Sequence, residues 1–473
     1  MQKITAKTHR SLLIASLILG LIVLFWGLGS LQLMSLNEGR RALVIKEMFA
    51  HHNWLLPTLN NELYLTKPPL LYWISVFFSF IIGHVNEWTI RLPSAISALI
   101  VVILAYRYTN KHFGRWAGFF VITLLMSNVG FAMLARRAEI EMLLTALCFG
   151  SLLSALQYVE DSKKQWIYIS YALLGLAVLT KGPVAMLFVT LPLLVTTIWT
   201  KHAQLKTILI SKTGWLIFVV VALSWYLLVT IQLGPDIWQT IAKRDMLDKM
   251  QSGDRAKPLL SYVAWIAVDF LLLVGLFVYK PKALWKEHKD KLAFVIPLVT
   301  AVVAVLVFSV FANKHAKYLL PIYPVIAILL SVQIACIFES SGQHLKRLIL
   351  LLSVILPIIY TVYYVYGEAT LYEYRTAVFK PFQEWSAGAS TDTLYVLENI
   401  DARLVYYSEK PIREITLAKL VKLHNNGQSA LVLSQKPLSM ALVDCQVNTF
   451  EPYLKKHKKL MVYDLGAHCK DFK

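Results

Sequence analysis

Apolar residues arrive along this chain in long blocks separated by short polar connectors. A block of roughly 18–22 residues can cross a hydrocarbon core of about 30 Å. Eleven runs read as spans: 11–34, 90–109, 114–133, 141–159, 166–180, 183–200, 213–233, 259–279, 291–312, 317–338 and 347–366. A further stretch, 70–83, is short for a span and suits an interfacial or re-entrant segment. The pattern therefore predicts a polytopic α-helical membrane protein with eleven spanning helices and juxtamembrane helices in a first outer loop, 35–89.

The polar connectors test that count. If 70–83 does not span and the N-terminus is inside, the inner connectors are 1–10, 107–115, 160–165, 201–212, 280–291 and 339–347. Each carries lysine or arginine, as the positive-inside rule asks. If 70–83 spans, every later connector changes side. The first arrangement is preferred, although the outer connectors are basic too. Basic residues kept outside against the rule are candidates for ligand work. The run from Ser11 to Met34 is too long for a signal-peptide core, so an uncleaved first helix is expected.

After about residue 367 the pattern changes. LYVLEN, ARLVYYS, SALVLS and KLMVYDLG read as short strands, and LAKLVKLHNN as an amphipathic helix. The expected division is a transmembrane unit, 1–366, and a small α/β unit, 367–473, outside the membrane.

Composition agrees: 57% of the 473 residues are hydrophobic. A net charge of +19 is often a sign of nucleic-acid binding, but here the lysines cluster between apolar runs, where they set topology and meet anionic membrane lipid. No nucleic-acid partner is expected. Cys148 and Cys336 fall inside apolar runs and read as small buried hydrophobes, whereas Cys445 and Cys469 in the tail are free to pair if it faces an oxidising compartment.

Three polar clusters meet at the outer face under this topology. They are Asn37-Glu38-Gly39-Arg40-Arg41, Thr66-Lys67-Pro68-Pro69 and Arg136-Arg137-Ala138-Glu139-Ile140-Glu141. Basic residues from 243–257 and Lys314, His315 and Lys317 add to them. Carboxylates among guanidinium and ammonium groups suit a phosphate-bearing ligand. Each has a simpler reading alone. Glu38 and Glu141 are acids at helix N-termini, which the macrodipole favours. Arg136 and Arg137 are placed to snorkel. Lys67-Pro68-Pro69 is a rigid turn. The adjacent His51 and His52 point different ways on a helix, so no metal site is assigned, and a divalent ion has only weak support.

Read in order, LNEGRRALVIKEM, NWLLPTLNNELYLTKPPLLYW, NEWTIRLPSAISAL, ARRAEIEMLLT, LTKGPVAM and KYLLPIYP resemble the aminoarabinose-transferase and protein O-mannosyltransferase family of membrane glycosyltransferases with the GT-C fold. The resemblance covers about residues 10–370. It implies a GT-C fold, a polyprenyl-phosphate sugar donor, a lipid, glycan or protein acceptor, and an active site facing the periplasm of a bacterial inner membrane. The family's first-loop Asp-Glu pair falls on Asn37 and Glu38, and the Arg three residues after the Asp on Arg40. Its Phe-Glu-Lys-Pro stretch falls on Leu65, Thr66, Lys67 and Pro68, its later acid on Glu141, and its late-loop Tyr on Tyr318. Asn37 and Thr66 replace carboxylates, which weakens any carried-over metal site and leaves the base open.

The implied chemistry is displacement at the sugar C1 with polyprenyl phosphate leaving. Lys67, Arg40 and Tyr318, with Arg244 behind them, are the expected phosphate-binding residues. Asn37 cannot accept a proton. Either Glu38 acts as base or orienting group, with Glu141 the runner-up, or the acceptor is already ionised and needs no base. Two rivals stand beside this reading: a flippase or transporter of lipid-linked sugars, and a non-catalytic family member. Clean apolar span interiors with charge gathered at one face favour the transferase over transport.

Overall fold

A computed structural model describes residues 6–251, 257–271, 273–278, 281–397, 401–439, 443–453, 455 and 457–465. The chain enters through α1 (Ala6–Phe25) and turns into α2 (Leu36–His51). Ser35 starts α2 by accepting the Glu38 N–H, and His52 ends it in the left-handed region at φ 52°. A small hairpin follows, β1 (Thr58–Leu59) and β2 (Glu62–Leu63). Its two-residue turn, Asn60-Asn61, has φ of 55° and 63°, which asparagine tolerates. Then comes α3 (Leu70–Ile82), whose 13 residues extend about 20 Å, too short to cross.

The bundle proper is α4 (Glu87–Phe113), α5 (Arg115–Met126), α6 (Val129–Ala135), α7 (Ile140–Asp161), α8 (Gln165–Lys181), α9 (Thr190–Thr200), α10 (Ala203–Leu209) and α11 (Lys212–Leu233). It continues through α12 (Asp236–Gln251), α13 (Ser261–Asp269), α14 (Pro281–His288), α15 (Leu292–Val310), α16 (Tyr323–Ser340) and α17 (Gln343–Val362). Close approaches rest on small residues, as expected where lipid removes the hydrophobic drive between helices. Ser151 and Ser170 exchange hydroxyl-to-carbonyl hydrogen bonds of 2.8 and 2.9 Å across α7 and α8. A Cβ on Gly175 would lie 2.8 Å from Val221, so α8 and α11 approach this closely only with glycine there.

Among the described residues, eight helices are long and apolar enough to cross a membrane, or nine if the α5–α6 pair, bent by 66°, is one span. The other expected runs are α8, of 17 residues, and α13 with the 3-10 turn Leu273–Val278. The α5–α6 bend has a local cause: Asn128 leaves the helix and its side chain caps α6 by accepting the Phe131 N–H at 2.8 Å.

The bundle has two unlike ends. At one, His9 meets the Arg115 carbonyl, Glu160 meets Lys111 and His112, and Phe113 packs on His288. These contacts gather connectors that the charge pattern had put on one side. At the other end lie α2, α3, the N-termini of α4 and α7, and the C-terminal unit.

The last long helix does not stop near residue 366. It runs through a π turn, Tyr363–Gly367, into α18 (Glu368–Thr376), and α19 (Phe379–Ala387) follows. Beyond lies a five-stranded sheet in the order β4-β3-β5-β7-β6, built from β3 (Leu394–Val396), β4 (Ile412–Glu414), β5 (Ala430–Ser434), β6 (Cys445–Phe450) and β7 (Leu460–Leu465). β3 pairs in parallel with β4 and β5, and β7 runs antiparallel to β5 and β6. Two helices, α20 (Ala402–Tyr407) and α21 (Leu417–Asn425), make the crossovers.

One expectation fails here: ARLVYYS is α20, not a strand. Asp401 caps it by accepting the Arg403 N–H, and Leu404 and Tyr407, three apart, face the core together. The strand reading counted β-formers and missed the cap. Strands β4 and β6 went unread because each is half exposed and polar. Cys445 is engaged in a disulfide; its expected mate, Cys469, lies outside the described residues.

Candidate active site

Helix α2 buries three charged side chains: Glu47 against the hairpin, and Glu38 and Arg41 toward the bundle. Glu38 is fully buried. Its Oε1 accepts from Arg91 Nε at 2.8 Å and the Ala138 N–H at 3.2 Å; its Oε2 accepts from the Met34 N–H at 2.8 Å and Arg91 Nη2 at 3.3 Å. Arg91 also donates to the carbonyls of Leu28, Leu31 and Gln32 at 2.6–3.0 Å. The pair stitches the α1–α2 connector to α4. Burial pushes the Glu38 carboxyl up, but Arg91 and the Met34 N–H outweigh it and hold the group below its ordinary value. Glu38 was expected as base or orienting group. Its four hydrogen bonds go to Arg91 and to the backbone at 34 and 138, so its carboxylate ties α2 to α4.

One helical turn on, Arg41 donates to the Ala138 carbonyl at 3.0 Å and to Glu139 Oε2 at 2.6 Å. Its Nη2 stands 3.9 Å from Glu141 Oε2. Burial pulls Arg41 down, but Glu139 and Glu141 outweigh this and raise it. Lys317 bridges the same carboxylates, at 3.2 Å from Glu139 and 3.8 Å from Glu141. Lys181, at the end of α8, lies 3.0 Å from Glu141 Oε1, and its Nζ sits 4.6 Å from the Tyr318 ring centroid. Two buried carboxylates are thus held by three cations drawn from α2, α8 and the turn before α16.

Within this cluster the two acids differ. Burial, with the neighbouring Glu141, pushes the Glu139 carboxyl above its ordinary value despite Arg41 and Lys317. Glu141 is 2% exposed, and its Oε2 accepts no hydrogen bond, although a buried carboxylate oxygen normally does. That atom is a buried acceptor of the cluster without a donor.

The other expected residues fall as follows. Asn37 and Arg40 lie on the exposed side of α2, and Lys67 is half-buried in the turn before α3. Arg244 falls in α12, its side chain outside the described residues. Arg136 and Arg137 are not in the cluster. Arg136 caps α1 by donating to the Val23 and Trp26 carbonyls, and Glu368 holds both arginines at 3.5 and 3.6 Å. Among the described residues, the His/Cys/acid group with ligating atoms within 4.8 Å is Glu287, His288 and Cys336. It sits at the opposite end of the bundle, with Lys291 Nζ 3.3 Å from His288 Nδ1, a cation where a metal site would want none.

The sequence reading missed Arg91, quoted only inside a motif. An arginine between Ile90 and Leu92 at the start of an apolar run is itself a signal, because such a charge needs a partner. It also missed that Arg41, Glu139, Lys181 and Lys317, four charges far apart in sequence, meet around Glu141.

This fold, a polytopic bundle with helices in its first long loop and an appended α/β unit, is shared with solved structures of membrane glycosyltransferases. Comparison with solved structures narrows it to the ArnT-like form. ArnT from Cupriavidus metallidurans bound to undecaprenyl phosphate superposes with a TM-score of 0.79 at 20% identity, over 96% of this chain and 98% of that one. The oligosaccharyltransferase AglB of Archaeoglobus fulgidus gives 0.56 at 10% identity, over 92% and 70%. In sequence, residues 66–225 match the family described as dolichyl-phosphate-mannose-protein mannosyltransferase. The undecaprenyl phosphate-α-4-amino-4-deoxy-L-arabinose arabinosyl transferase of Shewanella sediminis is 26% identical over 332 residues, 67% of this chain and 59% of that protein. The family resemblance read from the motifs is thus borne out, and the chain spans a little under two thirds of that curated relative.

Proposed function

We propose that the chain is a membrane glycosyltransferase that moves a sugar from a polyprenyl-phosphate donor to an envelope acceptor, either lipid, glycan or protein. The observation that carries this is the buried Glu139–Glu141 pair inside a ring of Arg41, Lys181 and Lys317 at one mouth of the bundle. We place that mouth and the C-terminal unit on the periplasmic side of an inner membrane, because the opposite connectors are the consistently basic ones.

An acceptor oxygen attacks the sugar C1. The bond from C1 to the phosphate oxygen breaks, and the phosphate leaves with the electron pair. A phosphate leaving group needs fixed positive charge in a partly dry site rather than a proton. Lys181, Lys317 and Tyr318 supply it from the cluster, with Arg40, Lys67 and Arg244 as further candidates. For a hydroxyl acceptor, Glu141 Oε2 takes the proton. Asn37 cannot take it and Glu38 is committed to Arg91, which leaves the Glu139–Glu141 pair, of which Glu141 carries the buried oxygen without a hydrogen bond. An acceptor that is already ionised needs no such step, and Asn37 favours this second reading.

The test is transfer by the purified protein in liposomes containing polyprenyl-phosphate sugars together with the lipids, glycans and proteins extracted from its host envelope as acceptors. Wild type should consume one donor and release polyprenyl phosphate, and Lys181→Ala should not. Absence of turnover with every extracted donor would argue for the transport or binding readings.

A further inference from the structure

At the bundle end opposite the candidate site, a cavity of about 430 Å³ opens between α4, α7 and α8. Its lining is graded. Leu104, Leu153 and Leu173 make the deep part, with Gly150 between them leaving space: a Cβ there would already press on Leu173 at 3.3 Å. The mouth carries Arg107 and Lys111, with Gln157 and Trp166 beside them. From Leu104 to Lys111 the lining runs along one face of α4, a rise of about 10 Å. Apolar depth under a basic, hydrogen-bonding mouth is the polarity profile of a single lipid.

The charges at the mouth are unequal. Lys111 is balanced by Glu160, which also takes His112 at 2.9 Å, and it donates to Gln157 at 3.3 Å. Arg107 is exposed and has no ion pair or hydrogen bond among the described residues. Its guanidinium fork is thus available to a planar or tetrahedral anion. Trp166, whose indole N–H is tied to Asp161 Oδ2 at 2.9 Å, fixes this rim at the depth where aromatic side chains meet headgroups.

We propose that this slot is a binding site for one anionic phospholipid of the leaflet opposite the candidate active site. Arg107 and Lys111 take the phosphate, and the Leu104–Leu153–Leu173 floor takes the first part of an acyl chain. The lipid wedges α4 against α7 at the far end of the two helices whose near ends carry Arg91 and Glu141. Basic pockets between spanning helices recognise anionic headgroups in this way.

The test uses the full-length protein, purified from nanodiscs of 3:1 phosphatidylethanolamine and phosphatidylglycerol and read by native mass spectrometry. Wild type should retain one phosphatidylglycerol. Arg107→Gln should lower that retention about fivefold, the effect of one basic side chain near a headgroup. Gln157→Trp, which fills the slot and keeps both basic residues, should abolish it while thermal unfolding in detergent stays close to wild type. Lys206→Gln with Lys212→Gln, which removes charge from another connector of the same end, should leave retention unchanged. Equal loss in that pair would mean general surface attraction and overturn the proposal. So would displacement of the lipid by millimolar inorganic phosphate, which would mark an anion site with no use for the chain. Retention unaffected in Gln157→Trp would overturn it as well.

Discussion

Glu38 accepts four hydrogen bonds, whereas one oxygen of Glu141 accepts none. Both are acids in the first turn of a helix, and the sequence reading could not separate their roles, because the difference comes from residues far along the chain. Glu38 is filled by Arg91 from α4 and by backbone around 34 and 138. Glu141 is charged by Lys181 and Lys317 without being filled. Glu141→Gln should lower turnover about 10²–10⁴-fold with a hydroxyl acceptor, and should also lower the melting temperature, because Lys181 loses the carboxylate it pairs with at 3.0 Å. Arg91→Ala should act through the fold rather than through the chemistry. Breaking a buried ion pair costs about 3–5 kcal/mol, so a large fall in melting temperature should accompany any loss of activity. The Glu38–Arg91 pair also sets a pH dependence. Its carboxyl is held below its ordinary value in the fold, so its contribution is complete above the unfolded pKa of about 4.3 and is lost as pH falls through the lower folded value. The gap in melting temperature between wild type and Glu38→Gln should be widest near neutrality and close on acidification.

At the scale of elements, hydrophobic blocks located the spans because a bilayer demands uniform apolar length. They were silent where a helix bends at a cap, as at Asn128, or continues into a soluble unit, as past Tyr363. In the C-terminal unit the buried strands and the amphipathic helix α21 were legible: β5 and β7 are buried throughout, whereas α20 is decided by Asp401. How that unit docks was not legible at all. A Cβ on Gly39 would lie 2.4 Å from Arg403 Cγ and 3.1 Å from the Arg403 backbone nitrogen. Arg403 is held by Asp401 at 2.8 Å and reaches the Met34 carbonyl, and Lys46 donates to the Tyr406 carbonyl. The start of α2, which carries Glu38 and Arg41, is therefore seated against α20. Gly39→Ala should force these apart. Limited proteolysis in the 388–393 connector should speed up, and turnover should fall although no group of the cluster is altered.

On the scale of the whole molecule, the charges sort by end. One end holds basic connectors and the proposed lipid slot; the other holds a buried mixed cluster and the α/β unit seated against α2. That sorting was foreseen from lysine and arginine positions alone, because charge at connectors answers to the membrane. The membership of the cluster was not, because it answers to the tertiary fold. The central claim is that this cluster transfers a sugar from a polyprenyl phosphate. It is tested most directly by mass spectrometry of envelope lipids and glycans from cells lacking the protein, complemented with wild type or with Glu141→Gln and Lys181→Ala. The account predicts one glycan lost and one polyprenyl-phosphate sugar accumulating in the null. Wild type restores both, and Lys181→Ala restores neither. With a hydroxyl acceptor, Glu141→Gln also fails. An unchanged profile while the protein is expressed, or full rescue by Lys181→Ala, would contradict it.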